Sequence, residues 1–172
     1  MPSPRTFGVS EIETAGNLNS LRDAVTFALN PPLVRVSQTS VQTLTTNVWT
    51  AISMDTTVVD TYGMHSNVTN NTRATAIVTG WYWTSGAVAF AASATGTRGA
   101  RLAVNGNVIA GSAQFGPPSA SGSFATVTTS LPLFLNAGDY VELQGVQNSG
   151  GNLNTLSATD LDSTLALLWA HV

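Results

Sequence analysis

From Leu33 to Val172 the chain runs in short stretches of Val, Thr, Ile, Leu and aromatic residues, broken about every ten positions by Gly, Asn, Pro and Ser. Helices need apolar residues at three- and four-residue spacing over longer runs, so this rhythm belongs to strands. They are expected near 33–38, 47–53, 56–60, 73–78, 81–92, 98–105, 107–115, 123–135, 139–147 and 163–172. In 98–105, Ala100, Leu102 and Val104 share one face, and Arg101 and Ala103 the other. In 123–135, Ala125, Val127, Leu131, Leu133 and Leu135 oppose Thr126, Thr128 and Ser130. Pro132 cannot donate to a ladder, so that strand belongs at an edge or carries a bulge. Asn105-Gly106 between apolar runs predicts a type I′ hairpin. "FGPPSASGS" and "QNSGGNLN" read as loops. Ten short alternating strands make an all-β sandwich or jelly roll. At 172 residues one such core can close without disulfides, and the chain has no Cys to form them.

The last run, "STLALLWAHV", departs from this alternation. Leu165, Leu167 and Trp169 lie on one face, and Ala166, Leu168, Ala170 and Val172 on the other, so both faces are apolar. A two-sheet sandwich buries only one face of a strand, and a symmetry mate is the simplest cover for the second. The surface composition agrees. Charged residues are 9% of the chain, against about 25% in ordinary globular domains. Thr, Ala, Ser, Asn and Gly take their place, which suits close packing of subunits. The net charge of −3 and six scattered basic residues, all Arg, argue against nucleic acid and against a basic membrane-binding surface. No apolar run is long enough to span a bilayer. The N-terminal "MPSPRTFGVSEIETAG" lacks the apolar core of a signal peptide, so the chain is expected to be made in a cytoplasm and to stay soluble.

Ahead of the β region, residues 1 to about 13 read as an extended arm. In "TAGNLNSLRDAVTFALNPP", Leu18, Leu21, Val25 and Leu29 fall at helical spacing, with Asn17 as the expected N-cap and Pro31-Pro32 as the stop. A helix this short, with so narrow an apolar face, must pack on its own domain, on symmetry mates or on a host structure. The chain therefore divides into 1–32, an arm and helix, and 33–172, a β head.

Three segments of the head resemble the C1q/TNF-like family. "LFLNAGDYVEL" follows the pattern L-x-L-x-x-G-D-x-V-x-L through Leu133, Leu135, Gly138, Asp139, Val141 and Leu143. "GWYWTSGAVAF" resembles the Gly-x-Tyr opening of a strand through Gly80 and Tyr82, and "RLAVNG" resembles the strand that ends in Asn-Gly. The resemblance implies a ten-strand jelly roll that assembles as a homotrimer with its final strand near the threefold axis. Ala166, Leu168, Ala170 and Val172 are then expected in the trimer interface, together with Tyr82. The N-terminal "LNSLRDAVTFALNPPLVRV" resembles the opening of small structural proteins of phages that infect actinobacteria, described as minor tail or capsid-associated proteins. That second resemblance implies a virion component anchored to capsid or tail through Leu18, Leu21, Arg22, Val25, Phe27 and Leu29. The absence of Lys fits a GC-rich genome, and the chain has no collagen stalk.

Little in the sequence suggests catalysis. Asp139 follows Gly138, which is expected at positive φ, so its carboxylate is placed to cap the turn; Glu142 is expected to face away from the core. No second acid is positioned to complete a carboxylate pair. His65 and His171 stand far apart in sequence and do not form a ligand cluster, so neither a metal nor another cofactor is expected. "ATGTRGAR" lacks the Gly-Lys-Ser/Thr ending of a phosphate loop. Asn67 and Asn70 fall in Asn-x-Thr sequons and read as turn formers of a polar loop. Trp81 and Trp83 share one strand face, a spacing that would also serve host glycan. The expectation is a non-enzymatic, trimeric phage structural protein; the alternative is a receptor-binding tip that recognises host cell-wall glycan.

Overall fold

The structure, a computed structural model, describes Gly8 and residues 14–120, 123–158 and 160–172. The chain separates into two units, Met1–Pro31 and Pro32–Val172. Apart from Gly8, the expected arm over 1–13 lies outside the described residues.

In the first unit, α1 spans Ala15–Leu29. Its N-cap is Thr14, three positions before the Asn17 expected from sequence: the Thr14 hydroxyl accepts the Asn17 N–H at 3.2 Å. The helix ends at Asn30, whose N–H bonds to the Thr26 carbonyl. Pro31 has no N–H with which to continue the ladder.

The second unit is built from β1 (Leu33–Ser37), β2 (Thr43–Leu44), β3 (Thr50–Ala51), β4 (Thr56–Asp60), β5 (Arg73–Thr75), β6 (Gly80–Phe90), β7 (Arg98–Val104), β8 (Asn107–Val108), β9 (Gln114–Gly116), β10 (Ala125–Leu135), β11 (Tyr140–Gln147), β12 (Leu153–Asn154) and β13 (Thr164–His171). One sheet has the order β10-β6-β13-β1-β4. The other runs β3-β11-β7-β8, with β5 also pairing β11 and β9 also pairing β7; β12 and β2 form a short separate pair. The first and last strands of the head, β1 and β13, are antiparallel neighbours in the middle of the first sheet. This is a jelly-roll sandwich, as expected from the alternation. Pro132 sits on β10, at the sheet's edge.

The core lies between the sheets. Val34, Val36, Val88, Phe90, Leu135, Leu165 and Leu167 from the first meet Ala100, Leu102, Val141 and Leu143 from the second, all without exposed surface. Gly86 lets the layers interlock, because a Cβ there would come within 2.6 Å of Leu143 Cδ1. The Asn105-Gly106 turn has φ of 52° and 78°, the double positive φ of a type I′ hairpin. Several sequence expectations fail locally: 47–53 is strand only at Thr50–Ala51, 73–78 only at Arg73–Thr75, and β2 falls outside every expected run. The run 107–115 divides into β8 and β9, with Gly111 at φ 80° in the turn between them. "QNSGGNLN" is not all loop, since Leu153 and Asn154 pair with Leu44 and Thr43.

Candidate functional site

The carboxylates singled out in the sequence are both engaged in structural contacts, Asp139 with a turn and Glu142 with neighbouring side chains. The Asp139 side chain accepts Asn136 N–H at 2.7 Å and Asn105 Nδ2 at 2.7 Å, tying the turn before β11 to the β7–β8 hairpin. The Asn105 amide and the Asn136 N–H hold its pKa below the usual carboxylate value. Gly138 has φ 95°, as expected for that turn. Glu142 does face away from the core, yet it is 8% exposed, because Thr72 and Arg73 cover it. Its Oε1 accepts the Thr72 hydroxyl at 2.8 Å and pairs with Arg73 Nε at 3.4 Å. The Asp60 carboxylate accepts the N–H groups of Tyr62, Met64 and His65. A cleft of about 340 Å³ nearby is lined by Met64, His65, Ser66, Asn70, Arg73 and Tyr140 among others. Its histidine and arginine are already engaged: His65 Nδ1 lies 2.8 Å from the Arg73 carbonyl and Nε2 3.0 Å from that of Met54, while Arg73 stacks 4.0 Å over Tyr140. Among the described residues no three His, Asp or Glu side chains group as metal ligands.

"ATGTRGAR" leads into β7, and its Arg98 is fully buried. The guanidinium donates to three backbone carbonyls, Ser93, Thr95 and Thr97, at 3.0–3.1 Å, so it closes the loop on itself. Burial lowers its pKa.

The outward face of the first sheet is apolar across three adjacent strands. On β13, Leu165, Leu167 and Trp169 point into the core, leaving Ala166, Leu168 and Ala170 outward. In register, Leu168 lies beside Trp83 of β6, and Pro132 of β10 lies on Trp83's other side. Trp81 and Phe134 are cross-strand partners whose rings meet edge to face at 5.7 Å. Trp83 is 58% exposed, Phe134 50%, Trp81 40% and Leu168 39%. Val172, just beyond the strand, is exposed too. So Trp81 and Trp83 form a continuous exposed surface with Phe134 and Leu168.

Tyr82 does not belong to this surface. It has the opposite parity on β6, is fully buried in the sandwich, and its hydroxyl donates to the Val78 carbonyl at 2.7 Å. That places it in the protomer core rather than in an interface. Burial raises its pKa.

On α1, Leu18, Leu21, Val25 and Leu29 form one exposed stripe. Arg22 is paired with Asp23 at 2.7 Å. Phe27 lies about 180° around the helix from Leu18, so it does not share the stripe.

A third surface escaped the sequence reading. On the outward side of the second sheet, the Arg101 guanidinium lies 4.2 Å over Trp49, and the Trp49 and Phe115 rings meet edge to face at 5.9 Å. Arg101 Nε donates to Gln144 Oε1 at 2.8 Å. Only the outward parity of Arg101 on β7 was visible beforehand.

No family model and no curated protein matches the chain. Solved structures do. The globular domain of zebrafish complement 1qA aligns over 82% of this chain and 99% of its own, at TM-score 0.57 and 12% identity. Murine APRIL aligns over 81% and 98%, at 0.59 and 13%. Eiger TNF from S. frugiperda aligns over 82% and 95%, at 0.53 and 14%. Identity this low with such coverage speaks to fold: the chain carries a C1q/TNF-like jelly roll.

Proposed function

We propose that this protein is a homotrimeric structural component of a phage particle, a jelly-roll head carried on capsid or tail through the N-terminal segment. The observation that supports it best is the apolar surface formed by Trp81, Trp83, Phe134, Ala166, Leu168 and Ala170. Exposed aromatic side chains at this density are a liability in a monomer. Burying the exposed share of Trp83 alone contributes about 3 kcal/mol per protomer, taking ~200 Å² for the ring system and ~25 cal/mol per Å². A closed threefold ring of heads removes the surface from water without leaving an open edge for further growth. The N-terminal resemblance to phage structural proteins supplies the particle, and the exposed leucine stripe of α1 supplies an attachment face.

A catalytic role is not part of this reading, because the carboxylates of Asp55, Asp60, Asp139 and Glu142 all accept structural hydrogen bonds. Nor does a glycan platform at Trp81 and Trp83 fit it, since a trimer would cover both rings. The test is where the protein goes. Labelled full-length protein should appear on purified particles by electron microscopy, and a 33–172 fragment should fold yet fail to incorporate. Absence of label from particles, or incorporation of the fragment at full-length levels, would overturn the reading.

A further inference from the structure

We infer that the outward face of the second sheet binds an acidic saccharide, its uronate carboxylate paired with the terminal nitrogens of Arg101 and its pyranose ring stacked on Phe115. Four segments distant in sequence converge there: Trp49 just before β3, Arg101 on β7, Phe115 on β9 and Gln144 on β11. Trp49 beneath the guanidinium and Gln144 at its Nε fix the plane of the charged group from two sides. What they leave open are the terminal nitrogens, which no carboxylate or carbonyl among the described residues takes up.

Three of the other described arginines have partners of their own. Arg22 has Asp23, Arg73 has Glu142, and Arg98 has three carbonyls. Arg35 is exposed and lines a cleft with Asp160 and Asp162 without an ion pair to either, so it stays in water where Arg101 does not. Arg101 is thus held rigid, half-buried and without a counter-charge in a protein of net charge −3. Burial lowers its pKa, which marks the site as partly shielded from water, where an arriving anion gains most. A planar, immobilised guanidinium matches a carboxylate through two parallel hydrogen bonds.

Phe115 supplies the second contact. It is 64% exposed, yet its ring rests on the sheet, because a Cβ at Gly99 would come within 2.8 Å of it. Gly99 therefore lets the ring lie down, leaving its outer side free for the C–H face of a sugar. The Gln144 amide nitrogen, with its oxygen already held by Arg101, remains as a donor for a hydroxyl. One cation beside two aromatic rings suits a ligand with one negative charge and an apolar face; a polyphosphate chain would call for several cations. The site lies on the opposite side of the sandwich from Trp83 and Leu168, so it stays open whether or not the heads assemble. It is therefore independent of the trimer and particle readings.

The test is calorimetric titration of the full chain with a hexasaccharide alternating glucuronate and N-acetylglucosamine, against the neutral N-acetylglucosamine hexamer, sodium acetate and glycerol phosphate. Saturable binding of the acidic sugar, at least about tenfold tighter than any of the other three, is expected. Arg101→Gln and Phe115→Ala should each weaken it about tenfold or more, and Trp83→Ala should leave it unchanged. The Trp49 indole resonance should move on titration. Equal binding of the neutral hexamer, of acetate or of glycerol phosphate would overturn the assignment. So would parental affinity in both site variants, loss of binding in Trp83→Ala, or no binding at millimolar sugar.

Discussion

Leu168→Asp puts a charge at the centre of the proposed contact. Leu168 lies between Trp83 on β6 and Leu33 on β1. It is 39% exposed, so completing its burial is worth about 1 kcal/mol per protomer, given ~1.5–3 kcal/mol for a whole leucine side chain. The substitution forfeits that gain and adds a carboxylate to each contact, and an unpaired buried charge costs several kcal/mol. Summed over three protomers, the penalty is on the order of 10 kcal/mol or more. Nanomolar association is worth about 12 kcal/mol, so the assembly should not survive at micromolar protein. The fold should survive, because Leu165 and Leu167, which point the other way, are untouched and fully buried. One complication is Arg35, which pairs with Ala166 and so stands diagonal to position 168. It could neutralise the new carboxylate, and Leu168→Lys therefore serves as the companion variant, since there the diagonal charge repels. Sedimentation velocity with far-UV circular dichroism is the assay. Both variants should give folded monomers or aggregates where the parent gives trimers. A parental trimer in either variant, with parental stability, would refute the assignment of this face.

Tyr82→Phe should lower unfolding free energy by about 1 kcal/mol in urea titrations through loss of the bond to Val78, and leave the oligomeric mass unchanged; a change in mass would return Tyr82 to an interface. Arg98→Met should cost about 2–4 kcal/mol, because three loop carbonyls lose a charged donor, and an unchanged urea midpoint would show that the loop holds without its clamp. Asp55 gives a pH dependence. Although burial pulls the other way, hydrogen bonds from Ser40 and Thr39 hold its pKa at about 2 against the usual 3.8. Its contribution is therefore full above pH 3.8 and is lost as pH falls towards about 2. The melting temperature of Asp55→Asn should show a shallower fall than the parent across that window, and parallel curves would contradict the assignment.

Much of the sandwich was legible because strands leave a period-two signature wherever one face meets core and the other meets water. The alternation over 125–135, the Asn105-Gly106 turn and the edge position implied by Pro132 all appear in the structure. The signature fails where both faces are apolar. In β6, Tyr82 and the tryptophans on either side are all large and aromatic, so composition did not say which pointed inward; the ladder with β13 does. The helix start was ambiguous because Thr14 and Asn17 are both good caps, and only geometry separates them. Arg98 opens an expected strand, and nothing local in the sequence announces that three carbonyls will surround its guanidinium. The Trp49, Arg101, Phe115 and Gln144 cluster was illegible for another reason: it draws one residue from each of four segments, and only sheet registry brings them together.

Sedimentation equilibrium of the unmodified chain tests the central claim most directly. If the apolar outer face of the first sheet closes a ring of three heads, the mass should be three times the 17.8 kDa protomer and hold constant on dilution through the micromolar range. A stable monomer, or a dimer, across the same range would contradict the account.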